Sequence, residues 1–580
     1  MNSANAARLS LRLRFNPAFG TDVLRNFISH DCSRPDPVHK GSLFIDNIPA
    51  IFRDAISCHQ RVNKTLGGRY SFPPQKKTFS QNRIMLEPLT AGRVQVQLPA
   101  YWSVTQTLHL SRSVAVLLGV SLLGLASSRL FYPFDTGNYE AFIWSPSQLA
   151  ISGQNPYSFA LSPPFVMAPY GIVYYELIGL GTQLFGLQLW FGRLASVLAA
   201  AICLVCIWRI TASLTDDARA PWYGVIAFMS SATLQSWLSV QRPDLVSLAM
   251  AFVAVALVFT TNWKTNSAAS RIVIVLVLLV AAFFTKQTTL LPVAVVVARL
   301  WQVRERRRAV MLLIGFAALC LSVMVWLNGN SGGGYLWEHW THAIRLPFDF
   351  KRAFGALLAV CKNPATWVLA GTYFLALYES RKSLREVPKV SARWLLVIYL
   401  LIAFLFGFVS SARLGANINY YLEASIIASI VFAVALTRIT ESSKWGSVGA
   451  TIVLLLAVSS AWQIMRFGRG EYFRWRSLPY FMEIAETVER STPRDSICIS
   501  VYPDLVTRVG RTFHFDDFGE YSDGLSPVLQ QAFNDAISSR RYGAILWHDD
   551  QATFPGYRLK PMVQQVPKKF YSVYLYLREP

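Results

Sequence analysis

The stretch "FYPFDTGNYEAFIWSPSQLAISGQNPYSF" (131–159) follows a run of about twenty apolar residues, opens with an acid and carries a second acid five positions later. It contains no Lys or Arg, although the 580-residue chain has a net charge of +22. Its surroundings explain the contrast. The chain is 53% hydrophobic and only 15% charged, with a mean hydropathy of +0.34, well below the roughly one-quarter charge of soluble domains. Apolar runs long enough to cross a hydrocarbon core about 30 Å thick recur from Ser113 to Met465. The pattern predicts an α-helical polytopic membrane protein with a small α/β domain at its C-terminal end.

Eleven spans are expected, at 112–131, 192–211, 222–241, 246–262, 271–290, 291–303, 309–328, 354–378, 394–412, 421–438 and 446–465. A further apolar stretch, 166–191, reads as an interfacial helix rather than a twelfth span, on a count of charges. With the N-terminus cytoplasmic, the inner loops hold Arg209, Arg219, Lys264, Arg271, Arg299, the four arginines of "RERRR" (304–308), Arg381, Lys382, Arg385, Lys389, Arg393, Arg438 and Lys444, sixteen in all. The outer ends hold seven: Arg193, Arg242, Lys286, Arg345, Lys351, Arg352 and Arg413. A twelfth span would place the densest basic loops outside, against the positive-inside bias. The basicity therefore belongs to membrane topology, and nucleic-acid binding is not indicated.

The expected organisation is a polar segment at 1–110, a membrane domain at 111–465 with its first outer loop at 134–191, and an outer domain at 466–580. The first segment reads as a disordered tail or as sequence upstream of a true start such as Met85. In the outer domain, helices are expected at "SLPYFMEIAETVER" (477–490) and "LSPVLQQAFNDAISSRR" (525–541). Strands are expected at "SICISVYP" (496–503), "YGAILWH" (542–548) and "FYSVYLYL" (570–577). Cys203 and Cys206 form a CxxC by spacing, but inside an apolar run they read as packing residues. No disulfide framework or metal-ligand cluster is evident, although Asp135 and Glu140 could hold a divalent cation; no other cofactor is indicated.

Ionisable residues near the span ends gather on the outer side. Asp135 and Glu140 follow the first span, Arg193 opens the second, and Arg242 and Asp244 lie in "QRPD" (241–244). Lys286 and Gln287 lie in "FTKQ" (284–287), and Arg413, Asn419, Tyr420 and Glu423 in "SARLGANINYYLEAS" (411–425). Each has an ordinary reading: a span end at water, an Arg242–Asp244 pair, a snorkelling lysine, belt tyrosines. Charges at membrane depth are costly and usually face a cavity or a partner. Two carboxylates with several cations at one level suggest an anionic substrate and acid/base chemistry.

Several segments taken together, "DTGNYEAF", "LAISGQNPYS", "APYGIVYYELIGLGTQLFG", "FGRLASVL", "QRPDLVSLAMAF" and "FFTKQTTLLPVAV", resemble the GT-C superfamily over roughly residues 112–440. The likeness is greatest to bacterial members related to protein O-mannosyltransferases and the lipid A aminoarabinose transferase. It implies a multi-pass glycosyltransferase of the plasma (inner) membrane. Such an enzyme moves a sugar from a polyprenyl-phosphate carrier to a glycan, lipid or protein acceptor on the outer side. The family's essential first-loop carboxylate matches Asp135, expected as general base with Glu140 as helper or orienter. Arg242, Lys286, Arg413 and, more weakly, Arg193 are expected at the donor phosphate. Asp244, Gln287 and Glu423 lie in the same segments, and Gln154, Asn155, Tyr157, Asn419 and Tyr420 are expected near sugar or carrier. The loop departs from the family pattern, with Asp-Thr-Gly-Asn-Tyr-Glu at the usual acidic pair. A transporter or flippase of lipid-linked sugars, or an O-antigen-type ligase or polymerase using the 329–352 loop with His339 and His342, are the alternatives. A topology reporter fused after Arg466 should read on the outer side; a cytoplasmic reading would reverse the assignment of faces.

Overall fold

The computed structural model describes residues 103–136, 140–159, 166–263, 268–342, 344, 346–380, 392–413, 415–441, 446–500, 503–510 and 512–514, with short pieces of 531–578. The expectations for residues 1–102, Met85 included, the middle of "DTGNYE", Arg345, and most of the 525–541 helix fall outside them. The first helix, α1 (Val104–Leu130), starts earlier than the hydropathy suggested. Ser103 caps it through a reciprocal pair with Gln106. After the short helix α2 (Trp144–Ile151), the 166–191 stretch forms α3 (Ile172–Phe185), only 14 residues long. At ~1.5 Å per residue that is too short to cross a bilayer, in keeping with an interfacial helix.

The membrane bundle continues through α4 (Leu189–Leu214), α5 (Ala220–Met229), α6 (Ala232–Trp237), α7 (Pro243–Thr260), α8 (Ala268–Phe283), α9 (Leu291–Gln302) and α10 (Arg306–Asn330). It closes with α11 (Phe350–Cys361), α12 (Pro364–Ser380), α13 (Ala392–Ser410), α14 (Leu422–Glu441) and α15 (Gly446–Arg476). Each of the eleven stretches read as a span contains helix, although in the 271–290 stretch it ends at Phe283 and 284–290 is a turn. Among the described residues, seven helices are long and apolar enough to cross a membrane, or eight with one bent pair. The chain is a multi-span membrane protein.

Two of the eleven stretches are broken. The 222–241 stretch stops at Ser230 and restarts at Ser231, whose hydroxyl caps the Leu234 amide. The 354–378 stretch turns by 85° between α11 and α12. The breaks mend each other: the Asn363 side chain donates to the Ser230 carbonyl at 2.9 Å, accepts from the Ala365 amide at 3.0 Å and from the Ser459 hydroxyl at 3.1 Å. Non-helical backbone survives at membrane depth only when its polar groups are satisfied in this way. Cys203 and Cys206 are buried free thiols within α4.

The last span helix runs unbroken to Arg476, eleven residues beyond the boundary expected at 465. The small domain follows as α16 (Leu478–Ser491), β1 (Ile497–Ser500), α17 (Pro503–Thr507), β2 (Thr512–His514), β3 (Ala544–Trp547), β4 (Tyr557–Lys560) and β5 (Tyr574–Arg578). Its strand order is β2-β1-β3-β5-β4, parallel across β2, β1 and β3 and antiparallel at β5 and β4. The three expected strands are β1, β3 and β5; β2 and β4 are short and had no alternating signal.

One glycine contact positions the site. The Gly171 amide donates to the Thr285 carbonyl at 3.2 Å and the Val173 amide to the Phe284 carbonyl at 3.0 Å. A Cβ on Gly171 would stand 1.8 Å from the Phe284 carbonyl oxygen. That approach brings the chain entering α3 against the turn that carries Lys286. Gly171→Ala should therefore force the two segments apart and cost about 1–3 kcal/mol, read as a lowered thermal midpoint of the purified protein; an unchanged midpoint would show that the approach is not required.

Candidate active site

Arg193, in the second turn of α4, is fully buried. All five of its N–H groups are used. Nε and one Nη donate to the two Glu140 carboxylate oxygens at 2.9 and 2.6 Å. The others reach the carbonyls of Arg129 (2.7 Å), Tyr132 (2.5 Å) and Phe134 (2.7 Å). Arg193 thus ties down the chain as it leaves α1, and it has no donor left for a phosphate. The expectation that placed it there is corrected by this geometry.

Glu140 is equally occupied. Besides Arg193 it accepts from the Gln241 amide at 2.7 Å, the Thr136 amide at 3.0 Å and the Thr136 hydroxyl at 2.9 Å. Burial alone would raise its pKa, but Arg193 and these donors outweigh it and hold the carboxyl down at about 2. Glu140 therefore orients the loop as a permanent anion. Five donors on its oxygens also leave no room for the divalent cation considered for the Asp135–Glu140 pair.

Asp135 is half-buried at the rim of this cluster. Its carboxylate accepts from the Glu140 amide and, at 3.3 Å, from the Ala141 amide. Its own amide donates at 2.8 Å to Asp504, a residue of the C-terminal domain. The charges of both Arg193 and Arg242 act on it.

A second cluster lies at the same end of the bundle. Lys286 pairs with Asp244 in the first turn of α7, and Asn419 donates to the same Asp244 oxygen at 2.6 Å. The Lys286 ammonium sits over the Tyr420 ring, 4.5 Å from its centroid. Glu423 accepts from the Tyr399 hydroxyl at 2.5 Å. Asp244, Lys286, Thr288, Asn419, Tyr420 and Glu423 line a small cavity of about 20 Å³, room for a water. Asp244 Oδ2 and Asn419 Oδ1 are buried there without a hydrogen-bond partner among the described residues.

"QRPD" joins the two clusters. The Gln241 amide and side chain hold Glu140, while Asp244, three residues on, holds Lys286. Arg242 stands between them, within electrostatic reach of Asp135, Asp244 and Glu140. Its guanidinium donates to the Tyr170 hydroxyl and lies 4.8 Å from the centre of the Phe142 ring. Arg242 and Asp244 do not simply pair with each other, since the Asp244 carboxylate goes to Lys286.

Other expected residues lie elsewhere. Gln154 is exposed. Asn155 donates to the Leu327 carbonyl and accepts from the Tyr157 amide, and the buried Tyr157 donates to the Tyr170 carbonyl at 2.7 Å. Asn155 and Tyr157 thus brace the first loop. Arg413 forms a backbone bridge with Phe348, beside the turn into α11. Gln287 meets His339 at 3.0 Å in the π-helical turn Trp337–His342. His339 is enclosed by Tyr157 and Tyr335, and burial pushes its imidazole down to about 3, so it is neutral. The side chain of His342 lies outside the described residues, as does any pairing of the two histidines. Among the described residues there is no group of three or more potential metal ligands.

Sequence reasoning missed five participants. Arg129 lies two residues before the cation-free stretch, so the first span's mouth does carry a cation, but Glu471 neutralises it at 2.8 Å. Glu471 also pairs with Arg474, which donates to the Thr136 carbonyl at 3.0 Å. Asp504 lies some 370 residues from Asp135 in sequence. Tyr399 sits in an unbroken apolar run.

No protein-family model matches the chain, and no curated protein matches it in sequence. Solved structures do. The apo structure of ArnT from Cupriavidus metallidurans aligns with TM-score 0.56 at 12% identity, covering 80% of this chain and 98% of that one. The same protein bound to undecaprenyl phosphate aligns with TM-score 0.55 at 13% identity, covering 80% and 97%.

Arg193→Ala should leave Glu140 as a buried, unpaired anion and cost about 3–5 kcal/mol, whereas the double variant with Glu140→Ala should recover part of that loss. Because folding depresses the Glu140 pKa, its stabilisation should be full above the ordinary carboxylate range and fade as pH falls toward 2. Thermal midpoints of the single and double variants across pH would test both; additive losses would mean that the pair does not couple. At the level of architecture, the alignment over nearly the whole of ArnT shows that the chain shares the fold of that protein.

Proposed function

We propose that this chain is a membrane glycosyltransferase that moves a sugar from a polyprenyl-phosphate carrier to an acceptor hydroxyl on the outer side of the membrane, with Asp135 as general base. The observation that carries the reading is the placement of Asp135: a half-exposed carboxylate at the end of the first span, fixed by two backbone amides. A weakly nucleophilic hydroxyl needs such a group. As the acceptor oxygen bonds to the anomeric carbon, its proton passes to Asp135. The bond from that carbon to the carrier phosphate breaks, and the phosphate leaves with the electron pair.

Arg242 and Lys286 are the cations suited to that developing charge. In the structure each is already engaged, Arg242 by the Tyr170 hydroxyl and Lys286 by Asp244. A phosphate reaching Lys286 therefore exchanges with Asp244 rather than filling an empty socket, consistent with a cavity too small for a sugar. The unpartnered acceptors of Asp244 and Asn419 would take hydroxyl donors such as a hexose carries. The likeness to a protein solved with undecaprenyl phosphate supports the carrier class. Both clusters lie at helix ends, which favours a transferase over a transporter with a mid-membrane site.

Membranes containing the wild-type chain should release sugar from at least one member of a panel of polyprenyl-phosphate sugars. Asp135→Asn at equal expression should lower that rate about 10²–10⁴-fold. Normal transfer by the variant would remove Asp135 as base, and no turnover of any donor by the wild type would count against glycosyl transfer itself.

A further inference from the structure

The C-terminal domain reaches the proposed base directly. Its core is completed by two residues of the loop that follows α1: Tyr132 and Phe134 are buried among Tyr480, Ile484, Val488, Cys498, Leu505 and Leu575. Asp504, in α17 after β1, is 2% exposed and accepts the Asp135 amide on one carboxylate oxygen at 2.8 Å. Its other oxygen is buried with no partner among the described residues. The sheet explains the location. β2 lies on one side of β1 and β3 on the other, both parallel to it, so the chain order reverses at β1. The carboxyl end of such a strand is where open α/β sheets receive ligands, and here the loop bearing Asp135 takes that place.

We infer that Asp504 is a positioning residue for Asp135, through which the C-terminal domain fixes the backbone of the candidate base and sets a negative charge beside it. The inference rests on the reading of Asp135 as base. The groups that act on Asp504 or neighbour it are Asp135 and Glu140 from the loop, Arg193 from α4, Tyr132 after α1, on which Arg474 at the end of α15 also acts, and Arg508 after α17. Burial, with Asp135 alongside, pushes the Asp504 carboxyl up to about 7. Above that pH Asp504 is charged and makes it harder for Asp135 to give up a proton, so Asp135 is then the stronger base.

The test uses the full chain in lipid nanodiscs. Asp504→Asn keeps an acceptor oxygen for the Asp135 amide but removes the charge, whereas Asp504→Ala removes both. Hydrogen–deuterium exchange of peptides spanning 132–141 should speed up about tenfold or more in the Ala variant and stay near wild type in the Asn variant. With whichever polyprenyl-phosphate sugar the wild type turns over, the limb of the rate–pH profile that the Asp504 ionisation sets near pH 7 should move down by about one unit or more in the Asn variant, where Asp135 ionises without a charged neighbour at 504. Unchanged exchange in the Ala variant, or an unmoved limb in the Asn variant, overturns the proposal. If the wild type turns over no donor, the glycosyltransferase reading fails while the exchange comparison still decides whether Asp504 holds Asp135. Should the Ala variant fail to fold, the limb of the Asn variant decides.

Discussion

A fully buried arginine at the end of a membrane bundle is tolerable only if every donor finds an acceptor, and Arg193 meets that condition. Removing an ion pair from water costs several kcal/mol per ion, and only close geometry with further hydrogen bonds repays it. Glu140 supplies the counter-charge and three carbonyls supply the remaining acceptors. The carbonyls belong to Arg129, Tyr132 and Phe134, so the pair is also a mechanical joint. It fixes the end of α1 and the start of the first loop to α4, and through the Gln241 amide to the start of α7. Asp135 lies one residue beyond the last of these carbonyls, so its position follows from the joint.

The same joint sets the electrostatics. Glu140 is neutralised by Arg193, whereas Asp135 keeps its partial exposure. Further along, "QRPD" repeats the arrangement on a smaller scale: Asp244 neutralises Lys286, and Arg242 lies between the two pairs. The site thus holds its charges in compensated form. Keeping each of these cations beside a carboxylate lowers the cost of holding it at membrane depth.

How much of this was legible in the sequence depends on the range of the interaction. Span positions follow from long apolar runs, and the choice of Asp135, Arg242 and Lys286 from charges at span ends. The expectation that 166–191 is interfacial came from counting basic residues, and α3, at 14 residues, is shorter than the seven helices able to cross a membrane by length. The division of labour among the charged residues was not legible. Arg193 and Lys286 are both cations at span ends, and only the fold shows that Arg193 is spent on carbonyls while Lys286 lines a cavity. The bends at Ser230 and Asn363 were hidden for a related reason: hydropathy averages over a window, and two polar residues that satisfy each other leave it unchanged. Asp504 lies in a domain with ordinary soluble patterns, and nothing local marks it as a partner of Asp135.

The domain's size accounts for that last connection. Its five strands are three to five residues long, and sheets so short bury little apolar surface by themselves. Tyr132 and Phe134 add two large aromatic side chains to one of its two buried clusters, so the domain gains part of its core from the loop it grips. The loop gains in return: two of its carbonyls go to Arg193, its aromatics to the domain, and the Asp135 amide to Asp504. A loop held from both sides loses little further freedom when a ligand arrives, so the position of the Asp135 carboxylate is set during folding.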